Sequence, residues 1–280
     1  MRSLFAVLVI LLLAAVFRIA PLADDVRFHP DEALFTTFAR NVITTGDWRL
    51  MGDLDKPPLS IYAITASLAL VGVTYDRGVP DLDPRVGEFA ARLPGVFASL
   101  LWVAAVYALA YGLYKNRTLA AWAALFVACS PPAIAYGASA FTDGWMLAFS
   151  ALALWSASID RPLTSGVFLA CAFASKQQAL YMLPLAGGFL LLTAHDARTI
   201  VRRWIALVLP LGVGIGLVTA WDSFRRPSPS LFALAAANNS PGRLIRSDEV
   251  APRLIAWMTW GQLAVGAPTL LLTAFSPLAI

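Results

Sequence analysis

The chain has 280 residues, of which 59% are hydrophobic and only 14% charged, and its mean hydropathy is +0.70. That balance excludes an ordinary water-soluble domain and makes lipid the main solvent. The net charge of +4 is scattered over short linkers between apolar runs rather than gathered in one basic domain, which argues against nucleic acid as a partner.

From the N-terminus onward, apolar runs recur at the length that crosses about 30 Å of hydrocarbon, roughly 20 residues as helix. Leu4 to Ala23, interrupted only by Arg18, and Ile205 to Ala220 are long apolar runs without the alternation of a β-barrel. The expectation is an all-α, polytopic transmembrane helical bundle forming one membrane-embedded domain over 1–280. Its spans are placed near 4–23, 93–114, 118–137, 144–159, 163–176, 178–194, 203–221 and 254–275. The first run ends in Phe17-Arg18-Ile19-Ala20-Pro21 without a small-residue cleavage site, so it reads as an uncleaved helix. Cys129 and Cys171 sit inside apolar segments, without metal-ligand or redox spacing.

Residues 57–73 are apolar but open on Pro57-Pro58, and they read either as a further span or as an interfacial helix. The excess of Lys and Arg on short cytoplasmic loops favours the second. With 57–73 on the surface, Lys115-Asn116-Arg117, Arg161 and His195 to Arg203 all fall on the side of Arg2. The segments 24–92, 138–143 and 222–253 then share the opposite, outer face.

In the first outer segment, His29-Pro30-Asp31-Glu32 opens a helix: Pro30 suits the first turn and two carboxylates complement the helix dipole. Leu34, Phe35, Phe38, Val42 and Ile43 recur at helical spacing, and Gly46 can close the helix. Asp31 and Glu32 are thus either caps or an acidic pair held at the membrane boundary. Further on, Asp55-Lys56-Pro57-Pro58 fixes a cation on a rigid turn; it either snorkels to the headgroups or contacts a phosphate.

Asp143 lies in Phe141-Thr142-Asp143-Gly144 between two apolar runs, where an ionisable group is costly unless exposed or functional. Ser175-Lys176-Gln177-Gln178 interrupts the apolar stretch 163–194 and reads as an outer hairpin tip, which sets Lys176 on the face that topology rules do not favour for a cation. The loop 222–253 carries Arg225, Arg226, Asn238, Asn239, Arg243, Arg246 and Arg253 beside Asp248 and Glu249, a composition that either clamps an anion or is simply solvated.

Taken in order, Asp31-Glu32, Gly46-Asp47-Trp48, Asp55-Lys56-Pro57-Pro58-Leu59, Ala91-Arg92-Leu93-Pro94-Gly95, Thr142-Asp143 and Ser175-Lys176 resemble the polyprenyl-phosphate-sugar-dependent glycosyltransferases of the GT-C fold. The resemblance is to the family 39 group, which includes protein O-mannosyltransferases and lipid A aminoarabinose transferases, and it covers residues 24 to 260. It implies a sugar donor on a polyprenyl phosphate and an acceptor that is a lipid, a protein or a glycan, met at the extracytoplasmic face of the plasma (inner) membrane with the N-terminus cytoplasmic. By the same resemblance Asp31 is the general base or acceptor-orienting carboxylate, Glu32 stands beside it, and Asp143 positions acceptor, sugar or a divalent metal. Lys56, Lys176 and Arg92 become candidates for the donor phosphate, and Asp55, Asn238, Asn239 and Arg243 for the substrate loops. Members of that family run longer, with further spans and often an outer domain.

The residues independently fit that chemistry. A hydroxyl acceptor must lose a proton as the new bond forms, and a leaving phosphate needs a cation. A transporter or flippase of lipid-linked substrates would instead place ionisable groups inside the spans, and a membrane scaffold would tolerate charge reversal in its outer loops. Protease chemistry has no support: His29 and His195 are the only histidines, and no H-E-x-x-H or G-x-S-x-G occurs.

Overall fold

The computed structural model describes residues 2–24, 27–72, 75–76, 79–80, 84–192, 194, 196–226, 229–239 and 245–265. Among them the chain is almost entirely helical. The helices are α1 (Arg2–Ile19), α2 (Pro30–Thr45), α3 (Leu59–Val71), α4 (Pro84–Tyr114), α5 (Arg117–Cys129), α6 (Pro131–Gly137), α7 (Asp143–Ser158), α8 (Pro162–Ser175), α9 (Leu183–Leu192), α10 (Ala197–Arg225), α11 (Leu231–Asn239) and α12 (Ser247–Val265). Short 3-10 turns, Ala20–Ala23 and Gln177–Met182, follow α1 and α8. One departure from the all-α expectation is a small antiparallel pairing in which Tyr75 faces Pro80 and Asp76 faces Val79.

Among the described residues, three helices are long and apolar enough to cross a membrane by themselves: Phe5–Ala23, Arg85–Tyr114 and Ala197–Arg225. The expected single span 118–137 is instead a pair, α5 and α6, bent by 62°. Pro131 and Pro132 explain the break, since they donate no amide and push Ser130 into the extended region (φ −65°, ψ 122°). The spans expected at 93–114 and 203–221 begin earlier, at Pro84 and Ala197, and α10 runs on to Arg225. At 14 residues α8 reaches only about 21 Å. The stretch 222–253 is not one loop, because it contains the end of α10, all of α11 and the start of α12. The expected span 254–275 is helical to Val265, and its remainder lies outside the described residues.

Across the bundle, α4, α7, α8 and α10 pack side by side, with α1 and α5 against α4 and α9 against α7. Small residues permit the closest approaches. A methyl group on Gly166 of α8 would sit 2.2 Å from the Leu207 carbonyl oxygen of α10, so only glycine admits that contact. A second core gathers Phe35, Phe38 and Val42 of α2, Leu50 and Leu54, Ile61, Ile64 and Leu68 of α3, and Ala90 and Ala91 of α4. The 13 residues of α3 span about 20 Å, too short to cross the hydrocarbon, and its Ile61, Ile64 and Leu68 point into this core.

One buried charge holds the first helix in place. Arg18, fully buried near the end of α1, donates from Nε to Ser99 Oγ of α4 at 2.6 Å and from Nη1 and Nη2 to the Ala128 and Val127 carbonyl oxygens of α5 at 3.0 and 3.2 Å. At the far end of α10, Arg225 donates to the carbonyl oxygens of Leu50 and Gly52 at 3.1 and 2.8 Å, which fastens the segment before α3 to that helix. Arg225 was read as part of an outer loop that either clamps an anion or is solvated, and it is instead buried at the end of a helix.

Candidate active site

The N-terminus of α2 is built by its own sequence. Pro30 occupies the first turn, the His29 Nδ1 accepts the Asp31 amide at 3.2 Å, and the Glu32 carboxylate accepts the His29 amide at 3.0 Å. That reciprocal arrangement is a capping box, with histidine in the place usually held by Ser or Thr. Gly46 closes the helix in the left-handed region at φ 69°. The consequence for the acidic pair is a division of labour: Asp31 points out and is exposed, whereas Glu32 turns inward and is buried.

Glu32 is satisfied from every side. Arg92 of α4 donates from Nε to Oε1 at 3.0 Å and from Nη2 to Oε2 at 3.3 Å, and the Ala140 amide donates to Oε1 at 2.9 Å. Burial alone would push its carboxyl up; the hydrogen bonds from Arg92, Ala140 and His29 outweigh it and hold the group below its ordinary value. The Arg92 guanidinium also lies 4.8 Å from the Phe28 ring centroid. Arg92 therefore faces a carboxylate and an aromatic ring and does not line the cleft that holds Asp31.

Asp143 starts α7, at the end of the helix that favours negative charge, and accepts from Lys176 Nζ at 2.7 Å. Lys176 caps the end of α8, so two neighbouring helices bring this pair together across 33 residues. A cleft of about 470 Å³ is lined by His29, Asp31, Ala135, Tyr136, Phe141, Asp143 and Lys176. Three of the sequence candidates thus share one cavity. Its aromatic wall is continuous, with the Phe141 ring centroid 5.2 Å from His29 and 5.5 Å from Tyr136. The part played by Tyr136 had no signal in the sequence, because it depends on the bend between α5 and α6.

Beside the cleft lies a polar cluster. Lys56 Nζ donates to Asp55 Oδ2 at 2.6 Å, Asn238 Nδ2 donates to the same oxygen at 3.0 Å, and Gln177 Nε2 donates to the Asp55 carbonyl oxygen at 2.8 Å. Burial would raise the Asp55 carboxyl, but the bonds from Lys56 and Asn238 prevail and keep it below its ordinary value. Gln178 reaches Asn239 at 3.4 Å. The structure thus joins Asp55, Lys56, Asn238 and Asn239 through the two glutamines that follow Lys176. Lys56 belongs to this cluster and not to the lining of the cleft. Arg243 lies outside the described residues. Among the described residues no group of three or more His, Cys, Asp or Glu side chains converges as a metal ion would require.

A family profile described as dolichyl-phosphate-mannose-protein mannosyltransferase matches residues 55–221. No curated protein matches the sequence. Among solved structures, the fold is similar to that of the S. cerevisiae protein O-mannosyltransferase Pmt1-Pmt2 complex bound to the sugar donor, at a TM-score of 0.63 and 17% identity. That match covers 81% of this chain and 34% of the other, so the present chain spans about a third of that protein's length. Asp55, Lys56, Arg92, Asp143 and Lys176 fall inside the matched family segment, and Asp31 and Glu32 precede it.

Proposed function

The chain belongs to the dolichyl-phosphate-mannose-protein mannosyltransferase family and is a multi-pass membrane protein of GT-C fold; from that premise we propose that it transfers a sugar from a polyprenyl-phosphate donor to a hydroxyl of a lipid, protein or glycan acceptor. The observation that carries the proposal is the convergence of Asp31, Asp143 and Lys176 on one aromatic-walled cleft.

In this reading the acceptor hydroxyl binds against Asp31, the outward member of the acidic pair. Its oxygen attacks the anomeric carbon, its proton passes to the Asp31 carboxylate, and the bond between that carbon and the phosphate oxygen breaks with the electron pair leaving on the phosphate. Lys176 stabilises that charge: an ammonium has three donors, and the contact with Asp143 uses one of them. Asp143 aims the ammonium, and His29, Tyr136 and Phe141 supply flat apolar faces for a sugar ring. Lys56, next to the cleft, is the second phosphate candidate. Glu32 and Arg92 position Asp31 and take no part in the chemistry. The cleft opens on the extracytoplasmic face of the plasma membrane, and the N-terminus is cytoplasmic.

The test is transfer of labelled sugar from a panel of polyprenyl-phosphate donors, mannose first, by membranes carrying this chain or its Asp31→Asn variant. Loss of a general base costs about 10²- to 10⁴-fold. Transfer that persists undiminished in the variant sinks the assignment of the base, and no transfer from any donor by the folded protein sinks the activity.

A further inference from the structure

The opposite end of the bundle carries a second cavity, about 530 Å³ in volume, lined by Asp160, Arg161, Thr164, Thr199, Arg202 and Arg203 among others. Arg161 precedes α8 and Lys176 ends it, so the 14-residue length of that helix, about 21 Å, separates this cavity from the cleft. One cation here is committed: Arg203 donates to Asp160 Oδ2 at 2.5 Å and to the Leu190 carbonyl oxygen at 2.9 Å. Arg161 and Arg202 are exposed, and neither side chain has a hydrogen-bond or ion-pair partner among the described residues. With Asp196, which accepts from Thr199, and Arg198 of the adjoining groove counted in, four guanidiniums stand against two carboxylates, a local excess of two positive charges. The start of α8 adds to it, because its N-cap position provides no side-chain hydrogen bond to the first-turn amides.

Beside this cavity runs an apolar groove of about 490 Å³, lined by Ala197, Arg198, Val201, Arg202 and Ile205. Arg202 belongs to both. Val201 and Ile205, one helical turn apart, are 57% and 59% exposed, so α10 presents an uncovered hydrocarbon stripe that begins where the cation sits. A polar basin and an apolar stripe sharing one arginine match a molecule with an anionic head and a hydrocarbon tail.

We propose that this cavity holds the headgroup of an anionic phospholipid, its phosphate between Arg161 and Arg202 and an acyl chain along Val201 and Ile205. A free phosphate ion would use the cavity but not the groove. A zwitterionic lipid would use the groove, but its own cation would offset what its phosphate gains from the excess charge.

The experiment is native mass spectrometry of the purified full chain in detergent, titrated with phosphatidylglycerol, with phosphatidylcholine, and with phosphatidylglycerol in the presence of inorganic phosphate. The expected result is retention of one phosphatidylglycerol in preference to phosphatidylcholine, undisturbed by inorganic phosphate. Two arginines, each worth about fivefold at a lipid phosphate, make the Arg161→Gln/Arg202→Gln variant about twenty-five-fold weaker for phosphatidylglycerol. Lys115→Gln, at the exposed turn between α4 and α5, leaves retention unchanged. Equal retention of the two lipids by the unmodified protein overturns the proposal even if the double variant does not fold. Equal loss in Lys115→Gln, unchanged retention in the double variant, or displacement of the lipid by inorganic phosphate overturns it as well.

Discussion

Glu32 Oε1 accepts the amide of Ala140 at 2.9 Å across 108 residues of chain, and the same oxygen accepts Arg92 Nε at 3.0 Å. One atom therefore joins the turn that presents Asp31, the helix α4 and the segment that delivers Asp143. The separation between the two carboxylates of the cleft is set by a third that never faces it.

Removing that charge takes away the Glu32 carboxylate that the buried Arg92 guanidinium faces. Glu32→Gln should destabilise the protein by about 3–5 kcal/mol, the cost of breaking a buried pair from one side. Thermal unfolding in detergent measures it. Glu32→Gln/Arg92→Met should recover part of the loss, and a double variant no more stable than the single one would show that the ion pair is not the cause.

Stability should also depend on pH through the same group. Its folded value lies below the ordinary carboxylate value of about 4.3, so the unfolded chain takes up the proton first as pH falls. The contribution is fully present above that ordinary value and is lost as pH drops through the lower folded one. Melting temperature should be level in this respect between pH 7 and about 5 and decline below it, with a shallower acid limb in Glu32→Gln. Identical acid limbs would remove Glu32 from the account.

Lys176 and Asp143 should behave as one unit. Lys176→Met is expected to raise the donor KM more than it lowers kcat, and Asp143→Asn to do the same more weakly by releasing the ammonium from its aim. Because the residues touch, the double variant should lose less than the sum of the single losses, with a coupling of about 0.5–3 kcal/mol. Strict additivity in donor titrations would mean that the pair does not act together.

A methyl group on Gly95 of α4 would lie 2.1 Å from the Ser139 carbonyl oxygen, in the segment that leads to Asp143. Gly95→Ala should therefore lower activity at least tenfold and reduce the melting temperature. Gly188→Ala, with nothing within 4 Å of the added methyl, should be neutral or stabilise by up to about 1 kcal/mol. Wild-type activity in Gly95→Ala would show that this contact yields without displacing the site.

The parts of this architecture that depend on neighbours in sequence were legible before any coordinates. The helix from Pro30 with its glycine stop at Gly46, the break at Ser175 to Gln178 and the reversals near Lys115 and Arg161 all follow from periodicity, proline and charge. What escaped was the direction of side chains. Asp31 and Glu32 are adjacent, and only the packing of α2 on α4 decides that Glu32 turns to Arg92. Arg92 stood among the phosphate candidates by resemblance, and the sequence offers no sign that it meets a carboxylate 60 residues earlier. Arg225 resembled a loop cation because apolar runs mark where lipid ends, not where a helix does. The α5–α6 bend was written in Pro131-Pro132, yet its effect, the placing of Tyr136 on the cleft, depends on the path of the chain beyond it.

Arg18 bears on how the protein is assembled. A lone arginine at the centre of a helix opposes insertion by about 2.5–3.5 kcal/mol, whereas near a helix end its long stem lets the charge reach the headgroups. When α1 first enters the bilayer, Ser99, Val127 and Ala128 have yet to be synthesised, so the guanidinium must start in the lipid headgroup layer. It moves into the protein only after α4 and α5 have been laid alongside. The rotation of α1 about its own axis is therefore decided by partners that emerge from the ribosome about a hundred residues later.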